Sequence, residues 1–284
     1  MAVIETKNIT YTYPGGTKPS IADVSIKIEE GEFMLITGPS GCGKTTLCRC
    51  LNGLIPHFYQ GELKGKITVE GLSVPEHPIY ELAKHVGLVF QNPENQLFAL
   101  SVEKDVAFGL ENLGVQREEM RKRVDWALNL AGIHDLRERA PHELSGGQQQ
   151  RVAIASVLAM QPKVIVLDEP TSFLDPLGAR KIFEVIRDLN RKLGITVVLV
   201  EHRLDLTARY ADHIVVMDEG KVVIDGEPHE ILSSEEARLI GVGIPKATRL
   251  YQMLKKDGIE LGKRIPLSSD EMAPLLREAF KSDD

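Results

Sequence analysis

The sequence predicts an α/β fold with a mixed sheet, an inserted helical subdomain and a small helical C-terminal extension. A short apolar strand at residues 33–36 runs into a glycine-rich loop and then a helix. Two further apolar strands, at 164–167 and 195–200, flank a helical segment near 177–193, which is typical of a parallel sheet. Apolar residues from Ser101 to Ala131 recur at helical spacing and indicate the inserted subdomain. The chain of 284 residues is long enough for one large domain or two modest ones.

The glycine-rich loop carries a phosphate-binding motif. Residues 38–45 read GPSGCGKT and fit the pattern G-x-x-x-x-G-K-[ST]. Backbone N–H groups and the positive end of the following helix then converge on phosphate, although a glycine-rich turn can also join a strand to a helix without a ligand. Lys44 is expected to reach the β- and γ-phosphates, and Thr45 to offer its hydroxyl to Mg²⁺. The predicted nucleotide-binding residues here are Gly38, Pro39, Ser40, Gly41, Cys42, Gly43, Lys44, Thr45 and Thr46.

Two adjacent carboxylates follow the second apolar strand. Asp168 and Glu169 come directly after Val164 to Leu167, so they are expected at the carboxyl end of a buried strand beside the phosphate loop. This has the form of a Walker B motif, in which Asp168 would hold Mg²⁺ and Glu169 would act as the general base on the attacking water. The alternative is that the pair merely ends the strand and caps a helix.

With the segment LSGGQ at residues 144–148, these motifs resemble the ATP-binding cassette (ABC) ATPase family, in the family's order from Tyr13 to His202. The resemblance implies a P-loop NTPase core that binds ATP and Mg²⁺. It also implies that the signature of one subunit contacts ATP bound to the phosphate loop of its partner, so that catalysis needs a dimer. Two glycines and a helix N-terminus suit such a contact with phosphate. The signature residues are Ser145, Gly146, Gly147 and Gln148.

Two further positions match the family at strand ends. Gln91 follows the strand at 85–90 and resembles the glutamine that senses Mg²⁺ and the attacking water and links to the membrane partner. His202 follows the strand at 195–200 and resembles the switch histidine that contacts the γ-phosphate and holds Glu169. An exposed strand-end glutamine and a structural histidine are the alternatives. The resemblance therefore implies a catalytic set of Glu169, His202, Gln91 and Lys44, and a metal site of Thr45, Gln91 and Asp168.

Two more positions are matched to the family. Ser172 to Asp175 resembles the loop that couples the two sites of the dimer, while Asp175 before Pro176 is also a good helix start. Tyr13 resembles the aromatic residue that stacks on adenine. Tyr11 is expected on the opposite face of the strand and is the less favourable platform. The alternative is that both rings are ordinary strand residues.

Composition narrows the class and the location of the protein. A net charge of −7 argues against a nucleic-acid groove. No apolar run approaches the roughly 20 residues that span a bilayer, and the N-terminus lacks a basic segment followed by an apolar stretch. We expect a peripheral protein on the cytoplasmic face of the cell membrane, attached through a partner. Three cysteines fit neither a metal site nor a disulfide framework and are expected to be packing residues, and oxidation of Cys42 would block the phosphate loop.

The predicted organisation is an ABC ATPase domain at residues 1–240, with the helical subdomain inserted at about 92–160, and a helical extension at 241–284. A glycine-bounded hairpin is expected at 65–71, and a last strand pair at 214–217 and 221–224. In the extension, residues 247–256 read as an amphipathic helix. A capping box at Ser268 to Glu271 opens a last helix that runs to Phe280.

The extension and three segments, at 91–98, 51–56 and 201–205, resemble the ATPases of energy-coupling factor and cobalt-type importers. The resemblance implies uptake of a vitamin or a transition-metal ion through a transmembrane coupling subunit and a substrate-binding membrane subunit. It also implies a homodimer, or a heterodimer with a related ATPase, in which the extension is a dimer contact and the groove beside Gln91 receives the coupling subunit. The alternatives are a surface appendage for the extension, and another ABC transporter class or a soluble non-transport ABC ATPase for the protein. The transported solute cannot be read from this chain.

Overall fold

The computed structural model of the protein describes residues 2–280. The first residue of the predicted domain, Met1, and the last four residues of the predicted extension, 281–284, lie outside the described residues. A first, antiparallel sheet packs beside the phosphate loop. Its strands are β1 Ala2–Thr12, β2 Ile21–Val24, β3 Lys27–Glu29, β5 Glu62–Val69 and β6 Leu72–Ser73. They are paired in the order β2-β1-β5-β6, with β3 also on β1.

The second sheet carries the predicted motifs. Its strands are β4 Phe33–Thr37, β7 Val86–Val89, β8 Val164–Asp168, β9 Thr196–Val200, β10 His213–Asp218 and β11 Lys221–Gly226. The order is β11-β10-β4-β9-β8-β7, and all neighbours are parallel except the antiparallel pair of β10 and β11. The predicted mixed α/β architecture is confirmed. Because β4, β8 and β9 lie side by side, the residues that follow them meet at one edge of the sheet.

Helices cover the second sheet and form the inserted and terminal segments. They are α1 Lys44–Leu51, α2 Leu54–His57, α3 Ile79–Leu82, α4 Val102–Asn112, α5 Arg117–Leu130, α6 Gly146–Ala159, α7 Pro176–Leu193, α8 Leu204–Thr207, α9 Pro228–Ile231, α10 Glu235–Leu239, α11 Lys246–Lys256 and α12 Ser269–Ala279. The helical periodicity of 101–131 is realised as α4 and α5. Within the described part of the chain, no helix is long and apolar enough to cross a membrane.

The central strands are buried on both faces, which explains their continuous apolar runs. Phe33 and Leu35 of β4 pack with the helical side of the molecule, whereas Met34 and Ile36 pack with α1 and the antiparallel sheet. This alternation follows from the two-residue period of a strand. The strand that precedes the phosphate loop therefore packs into both buried apolar clusters, one on each face of the sheet.

The predicted hairpin at 65–71 is wrong in one respect. Gly65 lies inside β5, and the turn falls at Glu70 and Gly71 before β6. Gly65 has φ 89°, and a Cβ there would stand 2.5 Å from the carbonyl oxygen of Asn8 on β1. The glycine is needed because the neighbouring backbone approaches closely, and not because the chain turns there.

The helices of the predicted extension are tied to the segment that follows β9. The backbone N–H of Lys246, at the start of α11, donates to Asp205 Oδ1 at 2.5 Å. On α12, Asp270 accepts from Arg209 Nη1 at 2.6 Å. Ser268 caps α12, but the Glu271 carboxylate accepts from the N–H of Leu267 instead of completing the predicted capping box.

The cysteines are apolar packing residues, as predicted. Cys48 and Cys50 on α1 are fully buried in the core beside the antiparallel sheet. Burial raises the pKa of both thiols, to about 12 for Cys50. Cys42, in the phosphate loop, is also buried, and desolvation raises the pKa of its thiol, so it is a slow target for oxidation at neutral pH.

His213, the first residue of β10, contacts Glu32 just before β4 and Asp225 on β11. Its protonation makes the stability of the fold depend on pH. Hydrogen bonds with the carboxylates of Asp225 and Glu32 raise the pKa of His213 from 6.5 to about 10. The protonated ring therefore stabilises the fold fully below pH 6.5, and the contribution is lost as pH rises through about 10.

Because of this linkage, we expect the excess unfolding free energy of the wild type over His213→Gln to fall between pH 6.5 and 10. The fall should be at most about 1.4 kcal/mol per pH unit. Urea unfolding of both proteins across that range measures it. A difference that stays constant with pH would show that His213 does not titrate in this window.

Candidate active site

Glycines shape the phosphate loop between β4 and α1. Gly38 has φ 141°, and a Cβ there would stand 2.0 Å from the carbonyl oxygen of Met217 on β10. Gly43 has φ 102°, and a Cβ there would stand 2.6 Å from the carbonyl oxygen of Ser20. Side chains at these positions would clash with backbone, so the close wrapping of the loop around the start of α1 requires glycine.

Lys44 lies inside the loop. It is buried, and its Nζ donates to the carbonyl oxygens of Gly38 at 2.9 Å and Pro39 at 2.8 Å. These bonds fold the long side chain back over the loop that would cradle phosphate. The ammonium group is therefore positioned at the predicted phosphate site by its own backbone partners.

An open cavity of about 780 Å³ extends over the loop. Its wall includes Gln91 from the end of β7 and Glu169 from the end of β8, as well as the turn between β10 and β11. The lining residues are Lys18, Pro19, Ser20, Ser40, Gly41, Gly43, Lys44, Thr45, Thr46, Gln91, Glu169, Glu219 and Gly220. The structure thus brings most of the predicted phosphate-loop residues together with two of the predicted catalytic residues.

Asp168 has the properties of a cation ligand. It is buried beside Thr45, and its Oδ1 has no hydrogen-bond partner among the described residues. Burial raises the pKa of Asp168, and a hydrogen bond with Thr45 opposes that rise. Among residues 2–280 there is no cluster of three His, Cys, Asp or Glu side chains that could hold a metal alone. The unpartnered carboxylate oxygen of Asp168 beside the Thr45 hydroxyl fits the oxygen ligands that Mg²⁺ prefers.

Glu169 is the centre of a hydrogen-bond network that joins three strand ends. Its Oε1 lies 3.0 Å from His202 Nε2, and its Oε2 accepts from Gln91 Nε2 at 2.8 Å. Ser172 Oγ also donates to Oε2, at 2.9 Å. Glu169 has φ 46°, a left-handed conformation that costs about 1–3 kcal/mol in a non-glycine residue and occurs often at functional sites.

The network keeps Glu169 ionised. The hydrogen bond from His202 lowers the pKa of Glu169 most, and the Ser172 hydrogen bond adds to that effect against the opposing effect of burial. A carboxylate is the form that can accept a proton from water. His202 and Gln91 both contact Glu169, and the first of these contacts is the one that the family resemblance implied.

Tyr11 in β1 and Tyr13, which directly follows this strand, correct one prediction. Tyr11 and Tyr13 lie on the same face, with ring centroids 4.8 Å apart in an edge-to-face arrangement. The expectation that they point to opposite faces was wrong, because residues two apart in a strand share a face. Tyr11 is fully buried and its hydroxyl donates to Gln60 O, whereas Tyr13 hydrogen-bonds with Arg49 Nη1 and Thr46 Oγ1. Tyr13 therefore borders the phosphate loop, and its stacking on adenine remains a prediction.

The signature segment lies elsewhere on the surface. Ser145 caps α6: its hydroxyl accepts from the N–H of Gln148, whose side chain accepts from the N–H of Ser145. With Gly146, Gly147 and Asp175, these two residues line a separate cavity of about 470 Å³. Asp175 caps α7 by accepting from Gly178 N at 2.6 Å, which confirms its predicted role as a helix start.

Sequence reasoning missed the interactions that connect the loops after β8 and β9. Glu201 is buried and accepts from Thr171 Oγ1, and Arg203 Nη2 donates to the carbonyl oxygen of Leu174. The contact of Ser172 with Glu169 was also missed. The sequence signal for Glu201 was its position directly after the buried strand β9, which does not identify its hydrogen-bond partners.

The assigned position of Lys44 can be tested by Lys44→Ala. We expect ATP binding or hydrolysis to fall about 10- to 100-fold, because charge-assisted hydrogen bonds contribute about 1.5–3 kcal/mol. The ATP dissociation constant and the steady-state ATPase rate measure the effect. Lys64→Ala, which changes an exposed lysine on β5, serves as the control. Unchanged binding and turnover in Lys44→Ala would contradict a position on the phosphates.

The fold and the phosphate loop define a P-loop nucleotide hydrolase. A sequence profile of the family described as ABC transporter matches residues 21–172, more than half of the chain. The chain belongs to the ABC transporter family, as an ATP-binding subunit that hydrolyses ATP. The resemblance found in the motifs is confirmed.

Two relatives match over almost the entire chain. A protein of Pyrococcus abyssi named as an ABC transporter ATP-binding protein is 50% identical over 273 residues, which cover 96% of this chain and 97% of the relative. The energy-coupling factor transporter ATP-binding protein EcfA1 of Clostridium perfringens is 43% identical over 280 residues, which cover 96% of this chain and 97% of the relative.

Solved structures of ABC ATPases share the fold. The CbiO1 protein of Clostridium perfringens, part of the ABC transporter complex CbiONQ, matches with a TM-score of 0.74 and 35% identity, over 89% of this chain and 99% of that chain. An ATP-binding cassette in a dimeric post-hydrolysis state with ADP and Pi matches with a TM-score of 0.69 and 32% identity, over 79% of this chain and 98% of that chain.

Proposed function

We propose that this protein is the ATP-hydrolysing subunit of an energy-coupling factor importer, acting as a head-to-tail dimer around two Mg·ATP on the cytoplasmic face of the membrane. Each nucleotide is held by the phosphate loop of one subunit and the signature of the other. The dimer is formed by two copies of this chain or by this chain and a related ATPase. Hydrolysis removes the γ-phosphate contacts and lets the subunits separate, which drives a membrane partner.

The separation of the two half-sites within one chain carries this proposal. The cavity over the phosphate loop is lined by Lys44, Gln91 and Glu169, whereas Ser145 and Gly147 line a different cavity with Asp175, and the described linings share no residue. A signature that stands apart from its own nucleotide site can act on nucleotide only if a second molecule presents one. The dimeric arrangement of a related cassette with ADP and Pi supports the same geometry.

The two signature glycines support a contact from outside the chain. A Cβ on Gly146 would meet nothing within 4 Å, and one on Gly147 would only touch Leu174 at an ordinary 3.5 Å. Neither residue adopts the left-handed conformation that other glycines of the chain do. Packing and backbone shape within this chain therefore do not require glycine here, and close approach of a phosphate from a partner's nucleotide does.

Within this dimer the residues have distinct tasks. Glu169 takes the proton of the attacking water, and His202 holds the Glu169 carboxylate in place and contacts the γ-phosphate. Gln91 orients the same carboxylate and the water. Thr45, Gln91 and Asp168 would hold Mg²⁺, which would neutralise negative charge on the phosphates. Tyr13 supports the adenine ring, beside Thr46.

The membrane partner is proposed to dock beside Gln91. Gln91 lines both the nucleotide cavity and a second cavity of about 490 Å³, whose wall includes Phe58 and Asn92. Phe58 is 71% exposed, and the cavity wall also includes Leu54 and Tyr59. Aromatic and aliphatic side chains around a groove favour binding of an apolar helix. A coupling subunit seated there would contact Gln91 directly.

The helical extension at 241–284 is the proposed second dimer contact. A groove of about 520 Å³ lies between α11 and α12 and is lined mainly by apolar residues such as Leu250, Met272 and Leu276. Met253 on α11 is 57% exposed. An apolar groove that faces solvent is a costly surface for a monomer. The extension is therefore proposed to pack against its counterpart in the dimer.

Co-purification tests the importer assignment. The tagged protein is isolated from membranes in mild detergent, and the bound proteins are identified. We expect a polytopic coupling subunit and a small substrate-binding membrane protein. The name of the 43% identical relative, an energy-coupling factor ATP-binding protein, supports this class. Recovery of ribosomes or DNA, or of a single large exporter subunit, would overturn it.

A further inference from the structure

Glu201 is a buried carboxylate that directly precedes the switch histidine. It is 3% exposed, and its backbone N–H donates to the carbonyl oxygen of Ile36 on β4. Burial of a carboxylate is costly unless hydrogen bonds replace its hydration. The buried carboxylate of Glu201 therefore needs hydrogen-bond donors, and three groups of the neighbouring loops supply them.

One oxygen of Glu201 holds the loop that carries His202. Oε1 accepts from the backbone N–H of His202 at 2.8 Å and from that of Arg203 at 3.1 Å. Two successive N–H groups on one carboxylate oxygen fix the backbone of a turn. The direction in which the imidazole leaves the backbone is therefore set by Glu201.

The other oxygen holds the loop that carries Glu169. Oε2 accepts from Thr171 Oγ1 at 2.5 Å. Thr171 is fully buried and follows Glu169 by two residues in the chain. Glu201 therefore bridges the two loops whose side chains meet in the 3.0 Å contact between His202 and Glu169.

We propose that Glu201 is a positioning residue for hydrolysis, which clamps the switch loop to the loop of the general base so that His202 reaches Glu169. A second contact joins the same two loops, because Arg203 Nη2 donates to the carbonyl oxygen of Leu174 at 3.0 Å, next to Asp175. The inference rests on the proposed roles of Glu169 and His202. Glu201 is not among the residues that line the cavity over the phosphate loop, and we infer that it acts through the backbone.

The test uses variants of Glu201 and its partner. Glu201→Ala removes all three acceptor contacts and is expected to lower kcat about 10- to 100-fold, as loss of a partner that orients a functional histidine does. ATP affinity is expected to stay within about twofold, because the phosphate loop is unchanged. Glu201→Gln is expected to restore most of kcat, since its carbonyl oxygen can still accept from the two N–H groups and its amide can donate to Thr171.

A double-mutant cycle distinguishes positioning from general destabilisation. If Glu201 acts through His202, adding Glu201→Ala to His202→Ala should lower kcat by less than about twofold. Thr171→Val keeps the side-chain shape and breaks only the hydrogen bond to Glu201. It should give a smaller loss of kcat with unchanged ATP affinity, and it replaces Glu201→Ala in the test if that variant does not fold. Asp105→Asn is the control for a buried carboxylate that accepts two backbone N–H groups elsewhere.

Histidine-selective ¹⁵N spectra provide a readout that does not depend on hydrolysis. The Nε2 signal of His202 should shift in Glu201→Ala towards its position in Glu169→Ala, because both changes break the same contact. An unshifted signal, wild-type kcat in Glu201→Ala, or an equal loss with and without His202 would overturn the proposal. An active Glu169→Gln would instead show that the proposed general base is wrong, and the spectra would still report whether Glu201 places His202.

Discussion

Glu169→Gln is expected to lower the rate of ATP hydrolysis about 10²- to 10⁴-fold, the range that general acid–base catalysis contributes. The amide keeps the size of the side chain and one acceptor oxygen but cannot take a proton from water. ATP binding should persist, so the variant should accumulate as an ATP-bound dimer. Steady-state ATPase assays and size-exclusion chromatography with light scattering measure the two effects.

Glu76→Gln is a suitable control for this experiment, since Glu76 is an exposed carboxylate outside the cavity lining. Its rate and its dimerisation should match the wild type. Rapid hydrolysis by Glu169→Gln would identify another group as the base. A hydrolysis-deficient Glu169→Gln that stays monomeric at saturating Mg·ATP, alone and with related ATPases, would argue against nucleotide held between two subunits.

Ser145→Arg should abolish the ATP-induced dimer while the monomer still binds ATP. Ser145 is exposed at the first turn of α6 and lies outside the cavity over the phosphate loop. A long cationic side chain at this position would fill the space that the partner's phosphate needs, so hydrolysis should fall with dimerisation. In the Glu169→Gln background, dimer formation can be followed without turnover by light scattering.

Part of any effect of Ser145→Arg could come from loss of a helix cap, which costs about 1 kcal/mol. Ser234→Arg controls for this, because Ser234 caps α10 in the same way by accepting from the N–H of Ala237. Normal ATP-dependent dimerisation of Ser145→Arg would reject the signature contact between subunits. Equal loss in both variants would assign the effect to the fold.

Local pattern was sufficient to predict most of the fold. The phosphate loop, the strand that ends at Asp168 and the cap at Asp175 are each encoded within a few residues, so period and capping rules identify them. The parallel sheet followed from the same strands. The turn near Gly65 was placed wrongly because a glycine that admits a neighbouring backbone has the same appearance in sequence as one that turns the chain.

The candidate site could be predicted only as far as its motifs extend. Asp168 and Glu169 were placed beside the phosphate loop because parallel strands end at one edge of the sheet, whereas the roles of Gln91 and His202 came from the family resemblance. The bonds of Glu201 to Thr171 and of Arg203 to Leu174 were beyond reach, since each joins loops about 30 residues apart in the chain. Their geometry depends on how β8 and β9 are registered, which no local pattern contains.

The attachment of α11 and α12 behind the switch loop has a practical consequence. Asp205 anchors the start of α11 only three positions beyond His202, and Arg209 anchors α12. A truncated protein that stops at residue 240 would lose both anchors and leave Asp205 without its backbone donor. Kinetic data from such a minimal cassette would therefore describe a protein in which the segment after His202 lacks two of its contacts, and engineering of this chain should retain its last helices even where assembly is not the aim.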